Sequence, residues 1–251
     1  MSLDGRRVLI TGGSSGIGAA LAEVCVQRGA RVGIIGRDER RLGEVASRTG
    51  AVAVAADITT PADCDRAVAA ISDQLDGIDA LVNNAGAMLH SRISAGVVED
   101  WEQMIAVNVL GLLYITHATL PHLRAADHAD VVNVSSIAAD RISVPDFAVY
   151  GATKAMVLRL TEALRADLGE KDDIRVSMIK PGTTNTEGFG PGIRDVRLRS
   201  QVEALKQRTG MDPRAVSEQI CHLIAAPRSV CVAEMVLIPH QPMPSGSRAR
   251  A

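Results

Sequence analysis

Tyr150 and Lys154 stand four residues apart in Tyr150-Gly151-Ala152-Thr153-Lys154, at the start of an amphipathic run. Residues at that spacing share one helical face, so a phenol and an ammonium are brought side by side. An unperturbed phenol titrates near ~10 and is a poor base at neutral pH. A neighbouring ammonium, joined by the positive ring of an oxidised nicotinamide, favours the phenolate and is expected to lower that value. Tyr150 then suits general acid–base work on a substrate oxygen. In isolation such a pair is also what a snorkelling surface lysine produces, so its meaning rests on its surroundings. Ser135 and Ser136 end an apolar strand run. Ser136 is placed to hold a substrate oxygen while charge develops on it, with Ser135 as the alternative. Asn108 lies in the apolar Val107-Asn108-Val109-Leu110-Gly111. An amide there is costly unless bonded, and it is expected to mark a helix irregularity that holds a water behind Lys154.

A second group of residues reads as a dinucleotide site. Thr11-Gly12-Gly13-Ser14-Ser15-Gly16-Ile17-Gly18 follows the first strand run and opens a helix. Glycines let the chain turn sharply and bring backbone amides, including those of Ser15 and Ile17, close to a pyrophosphate at a helix N-terminus. After the second strand the chain reads Gly36-Arg37-Asp38. An NAD site usually offers a carboxylate at that strand end for the ribose 2′-hydroxyl. Here Arg37 can instead fork a 2′-phosphate, with the Ser14 hydroxyl adding a bond, so the cofactor is read as NADP(H) rather than NAD(H). The plainer reading has Arg37 flanking a solvated helix start beside Asp38 and Glu39. Asp57, with Ile58 beside it, ends the third strand and faces the adenine amino group. Asn83-Asn84-Ala85-Gly86 ends the fourth, where Gly86 lets the backbone pass close to the cofactor; Asn83 suits a structural or a cofactor role equally.

These positions need a scaffold that collects strand ends. Strand runs are expected at Val8–Ile10, Arg31–Ile35, Ala51–Ala55, Ala80–Asn83, Val131–Val134, Arg175–Ile179 and Met235–Ile238. Helices alternate with them at Gly16–Arg28, Glu39–Arg48, Pro61–Leu75, Val98–His122, Tyr150–Leu168 and Pro213–Ala226. Near-continuous apolar strands between helices predict an α/β fold, a Rossmann-like doubly wound parallel sheet of seven strands with helices on both faces. No linker divides the chain, which is read as one domain over residues 1–240. Thr183–Gly210, carrying Gly188, Gly190, Pro191 and Gly192, breaks the rhythm and is expected to be a substrate lid. Residues 241–251 form a Pro-, Ser- and Arg-containing tail, expected on the surface or against a neighbouring subunit.

Composition narrows the function classes. Aromatics are only 2% and the net charge is −2, so stacking platforms and a basic stripe for nucleic acid are lacking. The chain enters its first strand without a signal segment, and the apolar stretch Met104–Thr116 is too short for a membrane span, so a soluble cytoplasmic protein is expected. Cys25, Cys64, Cys221 and Cys231 lie far apart and read as buried free thiols in a reducing compartment. No His, Cys or Asp grouping has the spacing of metal ligands.

Over essentially its whole length the sequence resembles the short-chain dehydrogenase/reductase family. The resemblance is carried by Thr11–Gly18, Asp57, Asn83–Gly86, Asn108, Ser136, Tyr150, Lys154 and Pro181-Gly182 with Thr186. It implies a catalytic tetrad of Asn108, Ser136, Tyr150 and Lys154, with Lys154 also on the nicotinamide ribose. It further implies a carboxamide site after Pro181-Gly182 with Thr186 in contact, transfer of the pro-S hydride, and a homodimer or homotetramer built on two long helices. The interval from Ser136 to Tyr150 is one residue longer than in most relatives, so Asp140, Arg141 and Phe147 are expected to shape the pocket unusually. Leu237-Ile238-Pro239-His240, and Glu170-Lys171-Asp172-Asp173 with no basic cluster for an acidic carrier, speak against an acyl-carrier substrate. The expected reaction is hydride transfer to a small ketone or aldehyde, lined by Met88, Leu89, His90, Phe147 and Phe189. The rivals are an NAD-dependent alcohol dehydrogenase and a non-catalytic dinucleotide sensor, which would need neither Tyr150 nor Ser136.

Overall fold

Strands built from Val, Ile, Leu and Ala have no polar face to show water, and both of their faces must be covered. The computed structural model describes residues 1–240 apart from 142–143, 189, 191–192 and 194–195, with residue 198 by its backbone alone. Its strands are β1 (Arg7–Thr11), β2 (Arg31–Gly36), β3 (Val52–Ala55), β4 (Ala80–Asn83), β5 (Ala129–Val134), β6 (Ile174–Pro181) and β7 (Glu234–Leu237). They form one parallel sheet in the order β3-β2-β1-β4-β5-β6-β7. The order reverses between β1 and β4, and that is where open α/β sheets leave a crevice at their carboxyl edge.

The alternation of side chains sorts the core. Val8, Ile10, Val82, Val132 and Ile179 face α1 (Gly16–Gln27) and α8 (Pro213–Ala225). Leu9, Leu81, Val131 and Val176 face the other layer, formed by α3 (Pro61–Leu75), α5 (Gly111–Arg124) and α6 (Ala148–Asp172). Helix α2 (Glu39–Thr49) covers the β2–β3 end of the sheet. A chain of polar groups crosses the second layer. Asn83 Nδ2 donates to Thr116 Oγ1 of α5 (3.0 Å) and to Asn133 Oδ1 (2.9 Å), and Asn133 Nδ2 donates to Thr161 Oγ1 of α6 (2.9 Å). Asn83 is thereby engaged inside the protein.

Several boundaries differ from the sequence reading. The helix expected at Val98–His122 is α4 (Val98–Ile105), a π-helical turn (Ala106–Leu110) and α5, running on to Arg124. The run Val98–Arg124 is long and apolar enough, by length and composition, to cross a membrane. It packs into the fold instead, with Met104 and Ile115 fully buried. Helix α6 begins two residues before Tyr150 and ends at Asp172, where Asp173 takes up a left-handed C-cap. The segment 183–210 is more than a loop: Val196–Thr209 forms helix α7. Phe189, Pro191, Gly192 and the tail 241–251 lie outside the described residues. Cys231, expected buried, is exposed because it stands in the segment leading to the edge strand β7, whereas Cys25, Cys64 and Cys221 are buried.

Candidate active site

The glycine turn after β1 is held from the side by β4. Thr11 Oγ1 accepts hydrogen bonds from the amides of Asn84 and Ala85, each at 3.0 Å, and Asn84 Nδ2 donates to Thr11 O at 2.9 Å. Asn84 and Ala85 therefore brace the cradle through groups the sequence reading assigned to the cofactor. A Cβ on Gly18 would stand 2.2 Å from Gly12 O, so only glycine lets the helix start fold back this tightly. Gly16 has φ +55°, and a Cβ there would lie 3.2 Å from Thr186, which places Thr186 at the mouth of the turn. Ser15 caps α1 in extended backbone with no side-chain hydrogen bond to the helix. Ile17 turns into the core and its carbonyl accepts from Ser217 Oγ at 3.3 Å.

At the adenosine end, Gly36 adjoins Ser14, whose Oγ lies 3.2 Å from a Cβ built there. Asp38, not Arg37, caps α2 by accepting from Arg41 N at 3.0 Å. Arg37 is exposed, and among the described residues its guanidinium has no hydrogen-bond or ion-pair partner. Arg41 was not foreseen; it reaches from α2 to Glu187 at 2.9 Å. Asp57 Oδ1 accepts from Thr59 N (2.9 Å) and Thr59 Oγ1 (2.8 Å). The Ile58 side chain turns inward, against the first residue of α5: a Cβ on Gly111 would lie 2.8 Å from it.

At the carboxyl edge of β4, β5 and β6 the catalytic candidates come together. Ser135 is buried and its Oγ donates to Lys154 O at 2.9 Å, so its proton is engaged inside the protein. Ser136 Oγ accepts from Ala138 N at 3.2 Å, and its hydroxyl favours the Tyr150 phenolate. Lys154 is buried with its Nζ donating to Val134 O at 2.9 Å, and it lies 6.0 Å from the Tyr150 ring centroid. Asn108 sits in the π-helical turn, the irregularity expected of it. Its amide is wholly engaged: Oδ1 accepts from Ala87 N (2.7 Å), and Nδ2 donates to Ala87 O (2.9 Å) and Thr153 Oγ1 (2.9 Å). Asn108 Oδ1 and Lys154 Nζ both lie 3.4 Å from a Cβ built on Gly86, so that glycine leaves the space between them open.

In the protein alone, burial shifts both titratable groups of this site. Burial pushes the Tyr150 phenol above its ordinary range, and the Ser136 hydrogen bond only partly opposes it. Burial also draws the Lys154 ammonium down to about 8. Desolvation penalises both charged forms, and it outweighs the attraction expected between them. The protein by itself holds Tyr150 protonated, the state a general acid requires.

Above Tyr150, the loop after β4 meets the segment before α6. His90 packs edge-on against Phe147 (centroids 4.3 Å), and Phe147 against Tyr150 (6.4 Å). Ser91 N donates to Asp146 O at 3.0 Å and Arg92 pairs with Asp146 at 3.1 Å. Both His90 ring nitrogens are buried without a partner, and burial lowers its pKa against the pull of Asp146. Met88 and Leu89 are half-buried on the same loop.

A family model described as short chain dehydrogenase matches residues 6–194. The chain belongs to the short-chain dehydrogenase/reductase family. This short-chain dehydrogenase is 34% identical over 236 residues to an uncharacterised oxidoreductase of Staphylococcus epidermidis, covering 92% of this chain and 96% of that one. Among solved structures it is similar to a serine dehydrogenase in closed form with NADP+, at 31% identity and TM-score 0.86, over 98% and 99% of the two chains. It is also similar to a 3-ketoacyl-(acyl-carrier-protein) reductase of Brucella melitensis complexed with NADH, at 30% identity and TM-score 0.83, over 94% and 98%.

The sequence reading missed Lys206 of this dehydrogenase. Its Nζ donates to Thr186 O at 3.0 Å and pairs with Glu203 at 2.6 Å, so α7 carries the cation that seats Thr186. No local pattern marks that bond, which joins residues twenty positions apart across the turn into α7.

Proposed function

We propose that the chain is an NADP(H)-dependent reductase of a small ketone or aldehyde, with Tyr150 as the general acid. The observation that carries this reading is buried Lys154, its Nζ on Val134 O and 6.0 Å from the Tyr150 ring, with the Ser136 turn beside them at the edge where the sheet order reverses. The cradle fits a dinucleotide: Gly18 leaves no room for a side chain against Gly12 O. Gly12, Ser14, Ser15, Gly16, Ile17 and Gly18 would hold the pyrophosphate, and Asp57 and the Ile58 backbone the adenine. Lys154 and Gly86 would lie at the nicotinamide ribose, and Pro181, Gly182 and Thr186 at the carboxamide. NADP(H), when bound, supplies the hydride.

The chain's own groups do the rest. Ser136 orients the carbonyl oxygen from a turn fixed by Ala138 N. Tyr150 gives its Oη proton to that oxygen as negative charge develops there. Lys154 keeps a positive charge beside the emerging phenolate, and Asn108, bonded to Ala87 and Thr153, fixes the walls around it. Residues Met88, Leu89, His90 and Phe147 close the substrate side, and the segment 183–210 serves as the lid. The cytoplasm is the expected compartment. Pairing through α4–α5 and α6 is the expected assembly, since Ile105, Leu110 and Met156 are exposed there.

The cofactor preference rests on Arg37, whose unpaired guanidinium follows a strand end without a carboxylate. Arg37→Glu is expected to weaken NADPH binding roughly tenfold or more, the worth of one charged hydrogen bond, and to leave NADH binding unchanged or improved. Titration by cofactor fluorescence reads this directly; equal NADPH affinity in the variant would return the choice to NAD(H). Turnover is tested by NADPH consumption over a panel of aldehydes, ketones and quinones, with NADH alongside.

The pH profile follows from Lys154. With its pKa drawn down to about 8, the ammonium is charged below that pH and neutral above it. Reduction uses the charge, so kcat/KM for the carbonyl is expected to be level at lower pH and to fall as pH rises through about 8. Lys154→Met should be slow throughout, with no step in that region. A wild-type profile without the step would detach the Lys154 charge from the chemistry.

A further inference from the structure

Ser136 stands at the start of a short turn whose two ends are both fastened to β6. At the near end, Ser135 N donates to Ile179 O at 2.8 Å. The turn then closes on itself: Ala139 N donates to Ser136 O at 3.0 Å, Asp140 N to Ile137 O at 3.3 Å, and Ala138 N to Ser136 Oγ. At the far end, Lys180 Nζ donates to both carboxylate oxygens of Asp140, at 2.8 and 2.9 Å, and pairs with Glu234 of β7 at 2.5 Å. Between the two ends Ile137 rests on β6, its Cδ1 3.3 Å from a Cβ built on Gly182.

We propose that Lys180 is a positioning residue for the reaction: through Asp140 it sets the place of Ser136 over the carboxyl edge of the sheet. This deepens the reductase reading and rests on it. Lys180 is 4% exposed, which an ammonium tolerates only when paired. Burial works against its charge, and the two carboxylates more than restore it, so the lysine sits above its ordinary range. Asp140 and Glu234 are themselves 48% and 38% exposed at their side chains, so water can serve them if the lysine is lost. The clamp therefore contributes more to geometry than to stability. Geometry is what this turn needs, because fourteen positions separate Ser136 from Tyr150 and a connection of that length leaves freedom to remove.

The test uses the full chain with Asp140→Ala, Lys180→Met and Lys180→Arg. Amide hydrogen exchange at Ala138 and Ala139 is expected to quicken roughly tenfold in the first two variants, while the Ser135 amide, held by Ile179 O, keeps its protection. In the same variants kcat is expected to fall roughly tenfold with NADPH affinity unchanged, as for a small misplacement of a reacting group. The isotope effect with NADPH deuterated at C4 should rise, since the chemical step has slowed. Mere loss of folded enzyme would lower kcat and leave the isotope effect where it was. Lys180→Arg should recover most of the rate. Unchanged exchange at Ala138 and Ala139 in Asp140→Ala, an exposed position where folding is not at stake, overturns the proposal. So does an unchanged kcat and isotope effect. A wild type that turns over nothing on the panel defeats the reductase reading instead, and the exchange result still decides whether Lys180 holds the turn.

Discussion

Tyr150→Phe is expected to lower kcat by about a thousandfold, within the range that a positioned proton donor contributes, while NADPH still binds. The change removes one oxygen from a half-buried ring whose neighbours are Phe147 at 6.4 Å and Ser136. The ring remains, so packing above α6 is preserved. Ser136 keeps its bond from Ala138 N and can still orient a carbonyl. Lys154 keeps Val134 O, so the ribose side is intact. What is lost is the proton that burial keeps on the phenol. The check is steady-state NADPH oxidation on the best carbonyl of the panel, with binding followed by fluorescence. A variant within about tenfold of wild type would take the general-acid role away from Tyr150. Loss of NADPH binding along with rate would show that the hydroxyl serves the cofactor, which is a different role.

The largest expected effect on stability lies at the opposite edge of the sheet. Asp130, 2% exposed on β5, accepts from Arg175 Nε at 2.6 Å and from Arg6 Nη2 at 2.7 Å. Arg6 also pairs with Asp79 at 2.7 Å. Arg175 is itself buried, and its other nitrogens donate to the carbonyls of Ile224, Ala226, Pro227 and Val230. One guanidinium thus gathers the chain leaving α8 and ties it to β5 and β6. Asp130→Ala removes the one carboxylate that pairs with Arg175 among the described residues and leaves its buried charge to the carbonyls. The cost is about 3–5 kcal/mol, the usual range for breaking a buried pair from one side. For a chain of this length that corresponds to a fall in Tm on the order of 10 °C. Thermal unfolding at neutral pH measures it, and the folded fraction should turn over normally because the cluster is remote from Tyr150. A shift of Tm smaller than about 2 °C would mean the pair carries little net stability.

Much of this was readable before the coordinates. The seven strands, their parallel order and the helix layers follow from apolar runs alternating with helical periods, which are local signals. Tyr150, Lys154 and Ser136 share an edge because helix and strand phases place them there. Asn108 was flagged because one amide in an apolar stripe must be explained, and the π-helical turn explains it. Contacts between segments distant in sequence were not readable. Ser135 and Ser136 are equivalent as letters; only the backbone of α6 decides which hydroxyl is spent on Lys154 O. The bond from Asn84 to Thr11 was not readable, because nothing local announces Thr11 as its partner. The upward shift of Tyr150 in the protein alone was not readable, because spacing shows the nearby ammonium and does not show how much water both groups lose. Lys180 carried no signal at all, since its partners Asp140 and Glu234 stand forty positions before it and fifty-four after it.

The Thr116–Asn83–Asn133–Thr161 chain acts on how the strands are aligned more than on how tightly they hold. Asn83 and Asn133 are direct partners in the β4–β5 register. A slip of one residue would put Val82 opposite Asn133 and strand two amides in apolar surroundings, a penalty that an all-aliphatic pair would not impose. The residues immediately beyond this rung are Asn84–Gly86 on one strand and, past Val134, Ser135–Ser136 on the other. Alignment of the rung therefore fixes the offset between the cofactor wall and the serine turn, as a dowel fixes two machined plates. A sequence redesigned with valine at both positions could match the wild type in melting temperature and still lose the catalytic spacing.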